Sequence, residues 1–188
     1  MKTNRFVIAM MILLSGSVIF AQKAEVDIQK SSIEWIGKKL GSQHNGNILL
    51  KSGYLELTAG EIVGGKFIAD MTSISNNDLK GDSKQRLEGH LKSDDFFGVQ
   101  TYPSAEFVVT KSSKFTDGSA TLTGNLTIKG NTESISFEAK RTGNNFEATL
   151  EIDRSKFDVR YGSDSFFDNL GDKAIKDMFT LHIKLVTI

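Results

Sequence analysis

Apolar and polar residues alternate along most of the chain. Ala120, Leu122, Leu126 and Ile128 share one face of an extended segment, and Ile135, Phe137 and Ala139 share the next. Phe146, Ala148, Leu150 and Ile152 repeat the pattern, as do Leu181, Ile183 and Leu185. Shorter versions precede them: Ile33 with Trp35, Ile48 with Leu50, Phe67 with Ala69 and Met71, and, after Pro103, Ala105 with Phe107 and Val109. A period of two marks a strand with one buried face. Turn pairs punctuate these runs: Asn45-Gly46, Ser52-Gly53, Gly64-Gly65, Asp117-Gly118, Gly130-Asn131 and Gly143-Asn144. About eight strands joined mostly by short turns predict an all-β antiparallel fold, closed as an up-and-down barrel or stacked as a sandwich.

Two stretches break the alternation. Asp82 to Leu91 reads as a helix, with Asp82 and Gln85 spaced as a capping box and Leu87 and Leu91 on one face. Ser93 then caps a short turn through Asp94, Asp95, Phe96 and Phe97. The second stretch, Arg154 to Asp177, carries Phe157, Tyr161, Phe166, Phe167 and Leu170, with Gly171 as a helix stop. Aromatic side chains in connections cover something apolar, either as the end-plug of a core or as a lid over a cavity.

Composition narrows the function. The 188 residues suit one domain, and Lys+Arg equals Asp+Glu at 23 each. That balance argues against a broad nucleic-acid footprint, which needs a basic excess. With no Cys, disulfides, thiolate metal sites and a Cys nucleophile are excluded. Met1 to Ala21 reads as a secretory signal: Lys2 and Arg5 precede the apolar run Phe6–Leu14, which is too short to span a bilayer, and Ala21 offers a small residue before Gln22. The alternative is a retained membrane anchor. Cleavage leaves a mildly acidic domain over 22–188 with no stable membrane anchor, in the periplasm or outside the cell.

Several motifs fail on inspection. Gly60 to Lys66 matches most of a P-loop, but Phe67 stands where a magnesium-binding hydroxyl belongs and no helix follows. Asn76 to Gly81 resembles half an EF-hand loop, but Lys80 and Leu87 replace oxygen ligands. His44, His90 and His182 lack helical metal spacing, though His44 and His90 with Asp94 or Asp95 form a candidate cluster. There is no GxSxG elbow.

The order of several short motifs carries more weight. Trp35-Ile-Gly37, His44-Asn-Gly46, Gly64-Gly65-Lys-Phe67 and Asp70-Met-Thr-Ser-Ile74 are followed by His90-Leu-Lys-Ser-Asp94-Asp-Phe96-Phe and Tyr102-Pro-Ser-Ala-Glu-Phe107. Gly124-Asn-Leu-Thr-Ile-Lys-Gly130 and Ile152-Asp-Arg154-Ser complete the series. From Ala24 to Ile188 the chain resembles the YceI family of polyisoprenoid-binding, lipid-binding-like domains. Tyr161 to Asp172 is similar to a secreted subgroup found in Bacteroidetes-type bacteria. The resemblance implies a lipocalin-like eight-stranded antiparallel β-barrel with short helical insertions. It also implies an apolar tunnel for a polyisoprenoid or other long amphiphile, no catalytic constellation, and no cofactor beyond that bound lipid.

An eight-stranded barrel is just wide enough for its own side chains or one small ligand, so a tunnel requires under-filling. The inward-phase candidates are Trp35, Phe67, Phe107, Leu122, Phe137, Phe146 and Leu150, each of which also suits plain core packing. Lys92, Arg154 and Arg160 flank the aromatic insertions and are candidates for a phosphate or carboxylate head. Arg154 also has Asp153 and Asp158 as candidate structural partners. Three readings follow: a non-catalytic carrier, an enzyme using His44, His90 and Asp94 or Asp95, and a filled barrel that binds a protein partner. A homodimer stays open.

Overall fold

The computed structural model describes residues 21–188. The leader read from Met1 to Ala21 lies, apart from its last residue, outside the described residues. The strands are β1 (Gln22–Glu25), β2 (Ser32–Lys39), β3 (Ser42–Thr58), β4 (Glu61–Asn76), β5 (Ser104–Ser112), β6 (Ser119–Ile128), β7 (Asn131–Thr142), β8 (Asn145–Asp153) and β9 (Met178–Val186). One helix, α1 (Gly81–Lys92), separates β4 from β5. Every neighbouring pair from β2 to β9 is antiparallel, and β9 returns to β2, so eight strands close an up-and-down barrel. The eight period-two segments are β2 to β9.

The ninth strand completes the wall. β2 pairs β3 only between Ser42 and Ile48. β1 continues the same edge, pairing Leu57 to Tyr54 of β3. Thus β1 and β2 together cover one long partner.

Three of the expected turns are not turns. Asn45-Gly46 and Ser52-Gly53 lie inside β3, and Gly64-Gly65 lies inside β4. Two of these glycines make room for rings. A Cβ on Gly46 would sit 1.7 Å from the Ser75 carbonyl oxygen, which accepts a 3.1 Å bond from Trp35 Nε1. A Cβ on Gly53 would lie 2.7 Å from the Phe67 ring. Among the true reversals, Ala59-Gly60, Asp117-Gly118 and Lys129-Gly130 carry positive φ at both residues. That is the hairpin geometry matching the twist of the strands.

Up-and-down connectivity sends every second connection to the same end. The β4–β5 and β8–β9 connections, the two aromatic insertions, therefore share one end with the short β2–β3 and β6–β7 turns. Lys129 Nζ ties both insertions together, donating to the Asp94 and Asp158 carbonyls at 3.2 Å each. α1 buries Leu91 against the barrel core. It has no capping box: its N-cap is Lys80, without a side-chain bond, and Asp82 lies in the first turn, where its charge favours the helix dipole. Gly171 does not stop a helix either. The β8–β9 connection contains only 3₁₀ turns, Arg154–Phe157 and Gly171–Lys173, because several of its carbonyls turn inward to one guanidinium instead of bonding along a helix.

Candidate functional site: an apolar lumen

Parity along each strand turns alternate side chains into the barrel, and the space they leave is an apolar cavity of about 190 Å³. Trp35, Phe67, Phe107, Leu122, Phe137, Phe146 and Leu150 all line it. The structure therefore brings together the seven apolar positions picked out by alternation. Phe67 and Phe107 stack with ring centroids 6.5 Å apart, and Phe107 and Phe137 lie 5.5 Å apart. These three rings point inward yet are only half-buried, because part of each faces the cavity rather than another side chain. They form a belt between two packed clusters. One contains Ile33, Trp35, Leu91, Phe96 and Phe157, and the other Leu55, Ile62, Val109 and Phe146.

The two ends are built differently. At the helical end Leu91, Phe96, Phe97 and Ile175 line the cavity. At the other end Phe115 packs edge-on to Phe146, the Arg141 guanidinium lies over both rings, and Arg141 donates to the Gly60 carbonyl at 2.6 Å. Parity reasoning did not select Phe96, Phe97 or Ile175 for the lining, since they lie in connections without a strand period. Met71 and Ile135 share the phase of lining neighbours, and that signal was legible.

The cations expected at a mouth are placed apart. Arg154 borders the cavity but is 2% exposed. Its guanidinium donates to the carbonyls of Val159 and Tyr161 at 2.8 Å, Ile175 at 2.9 Å and Lys176 at 3.2 Å. Asp177 Oδ1 lies 3.2 Å from the remaining side of the fork. Four of the five guanidinium N–H groups therefore go to the chain's own carbonyls, and the second Nη2 N–H lies beside Asp177 Oδ1 without a hydrogen bond to it. Its ion-pair partner is Asp177, rather than Asp153 or Asp158. Burial lowers the Arg154 pKa, and Asp177 and then Asp153 oppose this. Arg160 is exposed, pairs with Asp158 and lies 5.0 Å over the Phe166 ring. Neither Arg160 nor Lys92 lines the cavity.

The histidines have separate surroundings. His44 Nδ1 lies 2.7 Å from Asp78 Oδ2, whereas His90 packs edge-on against Tyr161 and Phe96 at centroid distances of 4.3 and 5.6 Å. The Asp78 carboxylate also accepts from the Asn45 backbone N–H at 3.0 Å and the Asn76 amide at 2.6 Å. Burial works against ionisation there, but these bonds outweigh it and hold the Asp78 pKa down to about 2. This network locks the β2–β3 hairpin to the start of the α1 connection. His182, on the outer face of β9, meets Thr149 at 3.0 Å. Among the described residues no group of three or more His, Cys, Asp or Glu side chains converges to hold a metal ion, so His44, His90 and Asp94 or Asp95 form no such centre. Among the same residues no helix is long and apolar enough to cross a membrane.

Known proteins share this architecture. The crystal structure of Burkholderia cenocepacia BcnA superposes with a TM-score of 0.69 at 23% identity, covering 87% of this chain and 99% of that one. A polyisoprenoid binding domain from Saccharophagus degradans superposes with a TM-score of 0.59 at 12% identity, covering 87% and 97%. Sequence relatives are UPF0312 proteins. One from Vibrio parahaemolyticus is 30% identical over 112 residues, 54% of this chain and 56% of that protein. One from Pseudomonas putida is 32% identical over 81 residues, 38% of this chain and 42% of that protein. The alignments thus span about half or less of the curated relatives' length. The YceI-like domain model matches residues 25–187, nearly the whole barrel, and with the closed eight-stranded wall and its under-filled apolar lumen this chain belongs to the YceI-like domain family.

Proposed function

We propose that the protein is a non-catalytic carrier or sequestering protein, exported to the periplasm or beyond, that holds one long amphiphile by its chain inside the barrel. The observation that carries this reading is the lumen itself. Inward-facing rings on β4, β5 and β7 are left half-buried around an apolar void of about 190 Å³, an arrangement that costs stability unless something fills it. A polyisoprenoid or fatty-acid-like chain matches that lining, and the Saccharophagus relative's polyisoprenoid binding domain supports trying isoprenoids first. Each buried CH₂ contributes about 0.8 kcal/mol before association costs, so a long chain is retained without a covalent or charged anchor.

Trp35 is the sole tryptophan and lines the cavity. Titration with prenyl and acyl compounds should therefore shift its emission and raise the melting temperature with ligand concentration. No change in either for chains of any length would reject the carrier reading.

A further inference from the structure

Between β7 and β8 the ladder is shorter than those on either side of it. β6 and β7 pair along their whole length, from Ser119–Lys140 to Ile128–Asn131. β8 and β9 do the same, from Asn145–Val186 to Asp153–Met178. β7 and β8 pair only from Thr142–Asn145 to Ala139–Ala148. Beyond that point Thr132–Glu138 of β7 and Thr149–Asp153 of β8 have no ladder partner in each other. The far end is closed by a side-chain bond, Asn131 Nδ2 donating to the Phe157 carbonyl at 3.2 Å. The result is a window in the wall, about 20 Å long at ~3.3 Å per residue.

Two cavities meet where this window begins, the outer one reaching it at Glu138 and Thr149. Inside, Ile135, Phe137, Ala148 and Leu150 line the lumen. Outside, a groove crosses β2, β9, β8 and β7, lined by Glu34, Glu138, Lys140, Glu147, His182 and Lys184 among others. Glu147, Ala148 and Ile183 line both the lumen and the groove. Ala148 and Ile183 pack against the core, so the groove reaches inner-face residues where the ladder stops. Unpaired strand edges need polar partners, and an apolar chain next to them needs an apolar refuge. A single-tailed amphiphile meets both demands at once.

We infer that the β7–β8 gap is a lateral portal, through which the chain of a single-tailed amphiphile enters the lumen while its head rests in the outer groove. This rests on the carrier reading. The groove mixes three carboxylates with two ammonium groups and an imidazole. It suits a zwitterionic or uncharged head and disfavours a phosphate monoester, whose double negative charge would face Glu34, Glu138 and Glu147.

The test staples the portal. With no native Cys, Ser136→Cys and Glu151→Cys place thiols on exposed positions of the two parted edges. A short bis-methanethiosulfonate reagent joins them, and dithiothreitol releases them. The control pair, Thr123→Cys with Ser136→Cys, spans the intact β6–β7 ladder, where the native hydroxyls lie 2.7 Å apart. Uptake of monomeric hexadecylphosphocholine is followed by Trp35 emission.

Stapling the portal should slow uptake at least tenfold, with recovery on reduction, and stapling the control should change it less than twofold. Hexadecyl phosphate should bind at least tenfold more weakly than hexadecylphosphocholine. Equal rates in stapled and reduced portal protein would overturn the portal alone, and tighter binding of the phosphate would overturn the head placement. No uptake of either compound by the reduced or wild-type protein would remove the carrier reading and the portal with it. Should the double variant fail to fold, hydrogen exchange on the wild type decides. Ligand-induced protection at 132–138 and 149–153 supports the portal, and protection confined to α1 and the β8–β9 connection overturns it.

Discussion

Replacing Arg154 by Met tests whether this residue pins the helical end of the barrel or serves the ligand. Methionine keeps much of the volume and the apolar contact with Phe96, whose ring lies 5.5 Å from the guanidinium carbon. What disappears is a set of bonds to four carbonyls, those of Val159, Tyr161, Ile175 and Lys176, and the ion pair to Asp177. Hydrogen bonds to a charged donor contribute ~1.5–3 kcal/mol each, but only the Val159 bond is wholly buried, and water recovers part of the rest. Asp177 loses its partner while its side chain is 18% exposed. Breaking a buried pair costs about 3–5 kcal/mol, and the same range is expected here. Arg154→Lys keeps the charge but not the planar fork, and about half that loss is expected. Urea unfolding followed by Trp35 emission and circular dichroism should show a lower midpoint with an unchanged slope. Residual folded protein should bind anionic and neutral amphiphiles of one chain length with equal loss. A variant within about 1 kcal/mol of wild type that selectively loses anionic ligands would refute the reasoning and restore Arg154 as a head contact.

Three further outcomes follow from the same geometry. Asp78 is held at about 2 against an ordinary 3.8. Its contribution is therefore fully present above the ordinary value and lost as pH falls through the lowered one. The melting-temperature gap between wild type and Asp78→Asn should close on acidification from neutral pH to about pH 2, and a gap constant with pH would contradict this. Gly46→Ala drives a methyl to 1.7 Å from the Ser75 carbonyl oxygen. It should cost ~3 kcal/mol or more in urea unfolding and shift Trp35 emission through the broken Ser75 bond. Ala69→Phe places a ring into the lumen from β4, beside Phe67. It should preserve or raise stability by about 1 kcal/mol while weakening uptake of long chains at least tenfold, read by Trp35 titration.

The wall of the barrel was legible because each strand has one wet and one dry face, and alternation at Phe146–Ile152 or Leu181–Leu185 reports that directly. β1 escaped notice because only Ala24 of its four residues is buried, too little for a period. Gly46 and Gly53 misled because a glycine signals either a left-handed backbone or a missing Cβ, and only the partner ring tells them apart. The bonds that Arg154 makes were not legible because they depend on carbonyls up to 22 residues away that turn toward it only in the folded connection. His44 and His90 looked like a pair only while Asp78, Tyr161 and Phe96 were not in place around them. The parting of β7 from β8 leaves no trace in the sequence, since Ile135 and Phe137 alternate through it as though the ladder continued.

The central claim is that the lumen carries a single long-chain molecule. A native mass spectrum of protein prepared from its own host without detergent, followed by organic extraction, measures this most directly. The account predicts a population heavier than the bare chain by the mass of one long-chain amphiphile, lost on extraction and restored by adding that compound back. A spectrum at the bare chain mass, unshifted after exposure to prenyl and acyl amphiphiles, would contradict it and leave the barrel an empty, protein-facing scaffold.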